Sequence, residues 1–336
     1  MVLSEWGWRE WSGDPWRFDD PRYAEAVAAG VEHLVRTRGY TNIEYLVVTN
    51  EPDISSRGYA TWHAAIVNVQ RELAARGLLR QIPLMGPDTC CTEDWWRPSL
   101  TDLGDVISAW DRHLYAEPMD VRRGSTEGYL RGVWDQVRAL DPEWAAKPFA
   151  LAESGFKTDK ATPTYAADMV DFAIQATRAG TSMMSTWMLD DEAYPKEPDA
   201  PAWDFWGMWS NRESGAELKP WFSTWSLLCR LVRPGSTLYL VPQAPGVRVL
   251  AARSPSTGAW TFVLVNRRAT AAQVTLRIPG EGDVTYDRYV FDGRDGSIRR
   301  NGKGFPLPDI SREPGDLGAG IVLSVPPGSV AFVTTR

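Results

Sequence analysis

The sequence predicts an α/β chain in two parts: a parallel sheet or barrel with helical crossovers, then an antiparallel β-sandwich. Two observations carry this. Through the first two-thirds, short apolar runs alternate with amphipathic helical stretches, and strand–helix alternation means parallel pairing. After RLVRPGS (230–236) the texture changes to short strand-like runs separated by Gly, Pro, Asn and Asp turns. The change places a domain boundary near residue 234, giving domains over 1–233 and 234–336.

Apolar periodicity predicts helices at 21–38, 59–76, 125–140, 162–179 and 220–232, with a short helix inside 92–108. Strands are expected at 44–49, 82–86, 109–115, 148–153 and 181–188. Gly39, Gly77 and Gly180 each stand just past a helical run, where a left-handed cap is wanted. In the second part LYLVPQ, VRVLAAR, WTFVLVN, QVTLRIP, YDRYVFD, GIVLSVP and SVAFVTT read as seven strands. There is no internal repeat of solenoid type and no low-complexity linker.

Composition narrows the function classes. At 336 residues the chain has room for about two domains, and 24% charged with 43% hydrophobic residues is ordinary for a globular protein. Net charge is −7 with no long basic run, which argues against nucleic acid or a membrane surface as partner. No segment approaches the roughly 18 consecutive apolar residues that a span needs. MVLSEWGWREW has no signal-peptide pattern, so the chain as it stands is expected to be cytoplasmic, and secreted if its true N-terminus is missing. Cys90 and Cys91 are neighbours and are expected to be free thiols, since bridging them closes a strained eight-membered ring; Cys229, in the apolar run WSLLCRLV, is expected in the core. No His and Cys set has metal-ligand spacing, so neither metal nor cofactor is expected. The 17 tryptophans are several times ordinary usage. Flat aromatic faces pack on sugar rings, which hints at carbohydrate, although tryptophan also fills large cores.

In parallel α/β sheets and barrels, active sites form at the carboxyl ends of the strands. Those ends deliver Asn50 and Glu51, then Asp88, Thr89 and Cys90, then Asp111, His113 and Tyr115, then Glu153, and finally Trp187, Asp190 and Asp191. A single carboxylate there is most simply a helix cap or a surface charge. The converging set suits acetal hydrolysis, in which one protonated carboxyl helps the leaving oxygen depart and an ionised one attacks or activates water. Tyr115 could hold one glutamate ionised and oriented, Asn50 could bind a sugar hydroxyl, and Trp187 could form a sugar platform. Asp190 either contacts a polar sugar or, with Asp191, caps its loop. His113 reads as a structural histidine in a supporting role. Trp95, Trp96, Trp203, Trp206 and Trp209 lie in loops after strands, and one or two of them are expected as subsite walls.

The ordered motifs Asn50-Glu51-Pro52, His113-Leu114-Tyr115, Glu153 in LAESGF and Trp187 resemble those of the clan A retaining glycoside hydrolases. The trailing sandwich and its linking segment resemble the family 39 type, β-xylosidase and iduronidase-like. The resemblance implies a (β/α)8 TIM-barrel-type domain, with Glu51 as acid/base at the end of strand four and Glu153 as nucleophile at the end of strand seven. It also places Tyr115 on strand six and Trp187 at the end of strand eight. It implies a retaining β-glycosidase acting on an oligo- or polysaccharide by double displacement.

Counting back from the strand that ends at Asn50 leaves room for a remnant of strand three, so the barrel is expected to run from about strand three or four to eight. Arg9, Trp6 and Trp8 are the remaining candidates for the arginine and other groups that early strands supply in that clan. Three accounts follow: a fragment, a short chain that covers its open sheet by forming a homo-oligomer, or a non-catalytic or weakly active carbohydrate-binding relative. An esterase is discounted, because AESGF lacks the first glycine of Gly-x-Ser-x-Gly.

Overall fold

A computed structural model of the chain describes residues 1–4, 18–55, 58–156, 162–191, 206–293 and 298–336. Arg9, Trp6, Trp8 and Trp203 lie outside the described residues. Contacts divide the chain into two units.

The first unit (1–115, 129–154 and 180–186) holds a six-stranded sheet in sequential order. Its strands are β1 (Val2–Ser4), β2 (Tyr45–Val47), β3 (Leu84–Thr89), β4 (Ile107–Tyr115), β5 (Phe149–Gly155) and β6 (Met183–Met184). β1–β2, β2–β3, β3–β4 and β5–β6 pair in parallel, and the Trp110 N–H donates to the Pro148 carbonyl at 2.9 Å beside the β4–β5 seam. This is a half-barrel, with the expected strand near the N-terminus present as β1. The strands at 44–49 and 181–188 are shorter than expected, because only their middle residues find ladder partners.

The helices of this unit follow their sequence signals. Asp20 caps α1 (Pro21–Glu32) by accepting the Arg22 N–H at 2.9 Å, and Pro21 occupies the first turn. The Tyr23 hydroxyl of α1 donates to the Val48 carbonyl beyond β2 at 2.5 Å, tying helix to sheet. A one-turn α2 (Pro52–Ser55) follows β2, and then comes α3 (Tyr59–Ala75). α3 buries Trp62, Ala65, Ile66, Val69 and Leu73, one stripe at helical spacing. Gly77 ends it at φ 67°, the left-handed cap its position called for. α4 (Trp96–Asp102) follows β3. α5 (Pro118–Arg123), which follows β4 in the chain, belongs to the second unit, and α6 (Ser125–Leu140), of which residues 129–140 belong to this unit, leads towards β5.

One face of the sheet buries Val47, Met85, Ala109 and Ala150 together. Elsewhere in the unit Trp96 meets Trp110 and Phe149 edge-on, while Trp134 stacks on Phe149 at 5.3 Å. Trp96 is 1% exposed, so it is core and is not among the one or two of the five loop tryptophans expected as subsite walls. Trp62, Trp96 and Trp110 thus account for part of the tryptophan surplus by packing alone. Beneath them, buried Asp141 accepts from Trp110 Nε1 at 2.7 Å, Lys147 Nζ at 2.8 Å and the Glu143 N–H at 2.9 Å.

The second unit (116–128, 155–179 and 187–336) carries α7 (Pro163–Ala179), α8 (Pro220–Leu231) and the antiparallel strands. Those strands are β7 (Thr237–Tyr239), β8 (Val247–Arg253), β9 (Trp260–Asn266), β10 (Ala272–Leu276), β11 (Asp283–Phe291), β12 (Ile310–Asp316), β13 (Ile321–Val325) and β14 (Val330–Thr335). Six form one sheet in the order β12-β11-β14-β9-β8-β7, and β10 pairs with β13. Inward residues of both sheets, among them Phe262, Leu264, Leu276, Leu323 and Val333, share one core. All seven expected runs contain strands. β12 was not expected: ISREPGD mixes charges, Pro and Gly, a composition tolerated at the sheet edge where it lies.

On α7, Asp168 and Asp171 are buried and meet Arg267 at 2.8 and 2.7 Å, with Arg122 on Asp168 at 2.6 Å. Cys229 is exposed, contrary to the core placement expected from its run. α8 buries Trp221, Thr224, Trp225 and Leu227, and Cys229 falls outside that stripe.

Candidate active site

Strand alternation starts the site. Ala109, Asp111, His113 and Tyr115 share one face of β4, and the first of them lies in the small apolar cluster on the sheet. Arg112 takes the opposite face, where Glu93 holds its guanidinium at 2.9 Å. β3 then departs from regularity: Pro87 pairs with Asp111 and Thr89 with Arg112, leaving Asp88 as the extra residue of a bulge. Asp88 has φ 58°, and its N–H donates to Asp111 Oδ1 at 2.9 Å. The bulge swings the Asp88 carboxylate to His113 Nε2, 3.0 Å away.

Glu51 follows β2 at φ 43°, a left-handed conformation that costs a non-glycine residue about 1–3 kcal/mol. The surroundings hold it there. Its N–H donates to Asp88 Oδ2 at 3.3 Å, and its carbonyl accepts the Ile54 N–H at 3.1 Å as α2 begins. This aims the Glu51 carboxylate at His113 Nδ1, 2.9 Å away. From β5, Glu153 approaches the same nitrogen at 3.4 Å and accepts the Tyr115 hydroxyl at 2.7 Å. One carboxylate oxygen of Glu51, one of Glu153 and a His113 nitrogen all lie within 4.8 Å of one another.

The electrostatics of this cluster are set by burial against charge. Burial disfavours a positive His113, yet Asp88, Glu51 and Glu153 outweigh it and push its pKa up to about 11. Glu153 is raised, chiefly by burial and also by Glu51 and Asp88, while His113 and the Tyr115 hydroxyl pull it back down. Asp111 is raised well above the carboxylate range by complete burial and by Asp88 beside it. Both ring nitrogens of His113 face carboxylate oxygens, Nδ1 that of Glu51 and Nε2 that of Asp88.

Asp53, in α2, anchors the rim beside Glu51. Its carboxylate accepts the N–H groups of Cys90 at 3.3 Å, Cys91 at 2.9 Å and Thr92 at 3.0 Å. Cys90 and Cys91 are joined in a disulfide, which corrects the expectation of two free thiols. The three neighbouring N–H groups converge on one carboxylate, so the turn that brings the sulfurs together is also the turn Asp53 binds. Asp53→Ala is expected to loosen this loop and, through Asp88 at its root, to lower His113 order. Faster hydrogen exchange at the 90–92 amides would show it, and unchanged exchange would contradict it.

The structure brings Asn50, Glu51, His113, Tyr115 and Glu153 to the same strand ends, in the first unit. Trp187 and Asp190 fall in the second unit; Trp187 is half-buried, and exposed Asp190 makes a backbone bridge with Trp209. Asp191 is buried on Lys219 at 2.6 Å and accepts the Gly207 N–H at 2.7 Å, which makes it the loop anchor of the pair. Sequence reasoning placed Asp88 at a strand end but gave it no role. The signal in hand was Gly86-Pro87-Asp88, a breaker pair before a carboxylate in a strand, which marks a bulge.

Neither a protein-family model nor a curated protein matches the sequence. Solved structures do match its fold. An α-L-arabinofuranosidase from Thermotoga maritima superposes with TM-score 0.67 at 15% identity, over 93% of this chain and 73% of that one. A GH30 endoxylanase from Clostridium papyrosolvens gives 0.64 at 15%, over 94% and 71%. A GH39 β-xylosidase from Caulobacter crescentus gives 0.62 at 17%, over 94% and 71%.

Proposed function

We propose, for a chain whose fold is that of the clan A glycoside hydrolases, that it hydrolyses β-glycosides of oligo- or polysaccharides with retention. The observation that carries this is the carboxylate pair: oxygens of Glu51 and Glu153 lie within 4.8 Å, close to the ≈ 5–5.5 Å separation used for double displacement and short of the ≈ 6.5–9.5 Å that an inverting enzyme needs to place a water beside the sugar. In this reading Glu153 attacks the anomeric carbon while Glu51 protonates the departing oxygen. Glu51 then takes a proton from the water that opens the glycosyl ester. Asn50 binds a sugar hydroxyl next to the reacting carbon.

The test is the first-formed product. A panel of aryl β-glycosides (xyloside, glucoside, galactoside, glucuronide, arabinoside) identifies a substrate, and proton NMR then reads the anomer released early in turnover. The β anomer is expected, and the α anomer first would sink the retaining assignment. Tyr115→Phe removes a hydrogen bond that favours ionised Glu153. It should lower kcat by about 10–100-fold, as expected for one hydrogen bond to a charged group. The sign on pH follows: Glu153 loses a group that lowers its pKa, so the acid limb of kcat/KM moves to higher pH. An unmoved limb would count against Glu153 as the nucleophile.

A second reading, a carbohydrate-binding or weakly active relative, is favoured by the open sheet: among the described residues β1 pairs only with β2, and β6 only with β5. The same edges support self-association, since unpaired strand edges recruit partners. Light scattering across a concentration series should give a mass above one chain, and a monomer throughout would remove that proposal.

A further inference from the structure

We propose that Asp88 is a positioning residue: it holds the His113 ring as a doubly protonated imidazolium whose second N–H faces Glu51 and Glu153, so that one buried cation sets the charge between them. The role of His113 then changes from structural support to electrostatic centre, and Asp88 acts through it without touching substrate.

Geometry carries the proposal. The His113 side chain is 1% exposed, with Nε2 3.0 Å from Asp88 Oδ1 and Nδ1 2.9 Å from Glu51 Oε1. An ionised carboxylate only accepts, so both nitrogens must donate, and a neutral imidazole has a single N–H. The ring is therefore an imidazolium in the form of the site in which Asp88 and Glu51 are both ionised, the form in which Glu51 can act as base. While Glu51 carries the proton destined for the leaving oxygen, the Asp88 contact alone constrains the ring. Asp88 is placed for this by the bulge, by its own N–H to Asp111 and by accepting the Glu51 N–H, three constraints that no regular strand residue would have. Burial pushes Asp111, from the same strand as His113, towards its neutral form, and Asp88 is the carboxylate within hydrogen-bond distance of Nε2. The other titratable groups that face the ring region are Glu51 beyond β2, Tyr115 on β4 and Glu153 on β5. Arg112 is turned away to Glu93 and contributes no charge here.

The consequence is directional. The cation lies 3.4 Å from Glu153, where it opposes the burial that would otherwise protonate that carboxylate. With Asp88 neutral, burial pulls the ring towards its uncharged form, and Glu153 loses its nearest cation once the ring deprotonates.

The experiment is a ring titration. His33, His63 and His113 are the only histidines, so long-range proton–nitrogen NMR of the full chain resolves each ring. Both His113 nitrogens are expected to show the protonated-imidazolium pattern from pH 6 to about 9, well beyond the ordinary histidine range. In Asp88→Asn the midpoint should fall by at least about two pH units, while His33 and His63 stay unchanged as internal controls of folding. A wild-type ring that is singly protonated at pH 8, or an unshifted midpoint in a folded variant, would overturn the proposal. If Asp88→Asn does not fold, the wild-type titration decides alone. A kinetic arm rests on the glycosidase reading: on an aryl β-glycoside, kcat of Asp88→Asn should gain a descending limb at its NMR midpoint, with KM little changed. Absence of turnover on every glycoside would remove that reading and leave the titration result standing.

Discussion

Glu153→Gln is expected to abolish turnover of aryl β-glycosides, with kcat lower by on the order of 10⁴- to 10⁶-fold, the range seen when a covalent nucleophile is removed. Glutamine keeps the shape and still meets the Tyr115 hydroxyl, so the fold should be unaffected and the loss chemical. Glu51→Gln should behave differently. It removes a proton donor and acceptor, costing about 10²–10⁴-fold on substrates with poor leaving groups and far less on dinitrophenyl glycosides, which depart without a proton. In that variant azide, an anion that needs no deprotonation, should restore the second step and yield a β-glycosyl azide. The contrast decides the roles. Turnover that survives Glu153→Gln, or azide rescue of Glu153→Gln to the β product, would reverse or remove them.

Asp141→Ala should be the most damaging substitution for stability, at about 3–5 kcal/mol. Asp141 is buried and receives three donors, and Lys147 beside it has a side chain 6% exposed. Truncating the carboxylate leaves the Lys147 ammonium with the Gly104 carbonyl but no counter-charge, and the Trp110 indole N–H without its acceptor, and the cost is that of the groups left behind. Denaturant unfolding with the m-value held in common measures it. The double variant Asp141→Leu, Lys147→Met should recover most of the loss, because it removes both charges together. A single-variant loss below about 1 kcal/mol would show that water reaches this cluster.

His113 gives stability a pH signature. Its pKa in the fold, about 11, stands above the ordinary 6.5. A group raised in this way stabilises the fold fully below its unfolded value and loses that contribution as pH climbs towards its folded one. Stability should therefore decline over the alkaline interval between them.

Much of this molecule was legible in local pattern. Helix stripes such as Trp62, Ile66, Val69 and Leu73 and the alternation Asp111, His113, Tyr115 are written at periods of 3.6 and 2, and those periods hold wherever the element forms. β12 escaped because an edge strand has neither an obligatory apolar face nor a full set of ladder bonds. Cys229 was misplaced because one residue's exposure depends on which helix face is covered, which local sequence does not specify. The sequence by itself determined the order of the elements and the delivery of Glu51, His113, Tyr115 and Glu153 to strand ends. Only the tertiary structure decided that a bulge at Asp88 would turn a carboxylate onto His113, and that Cys90 would bond Cys91. Both depend on how β3 registers with β4 and how Asp53 gathers the following turn, and registers between strands are made by partners distant in the chain.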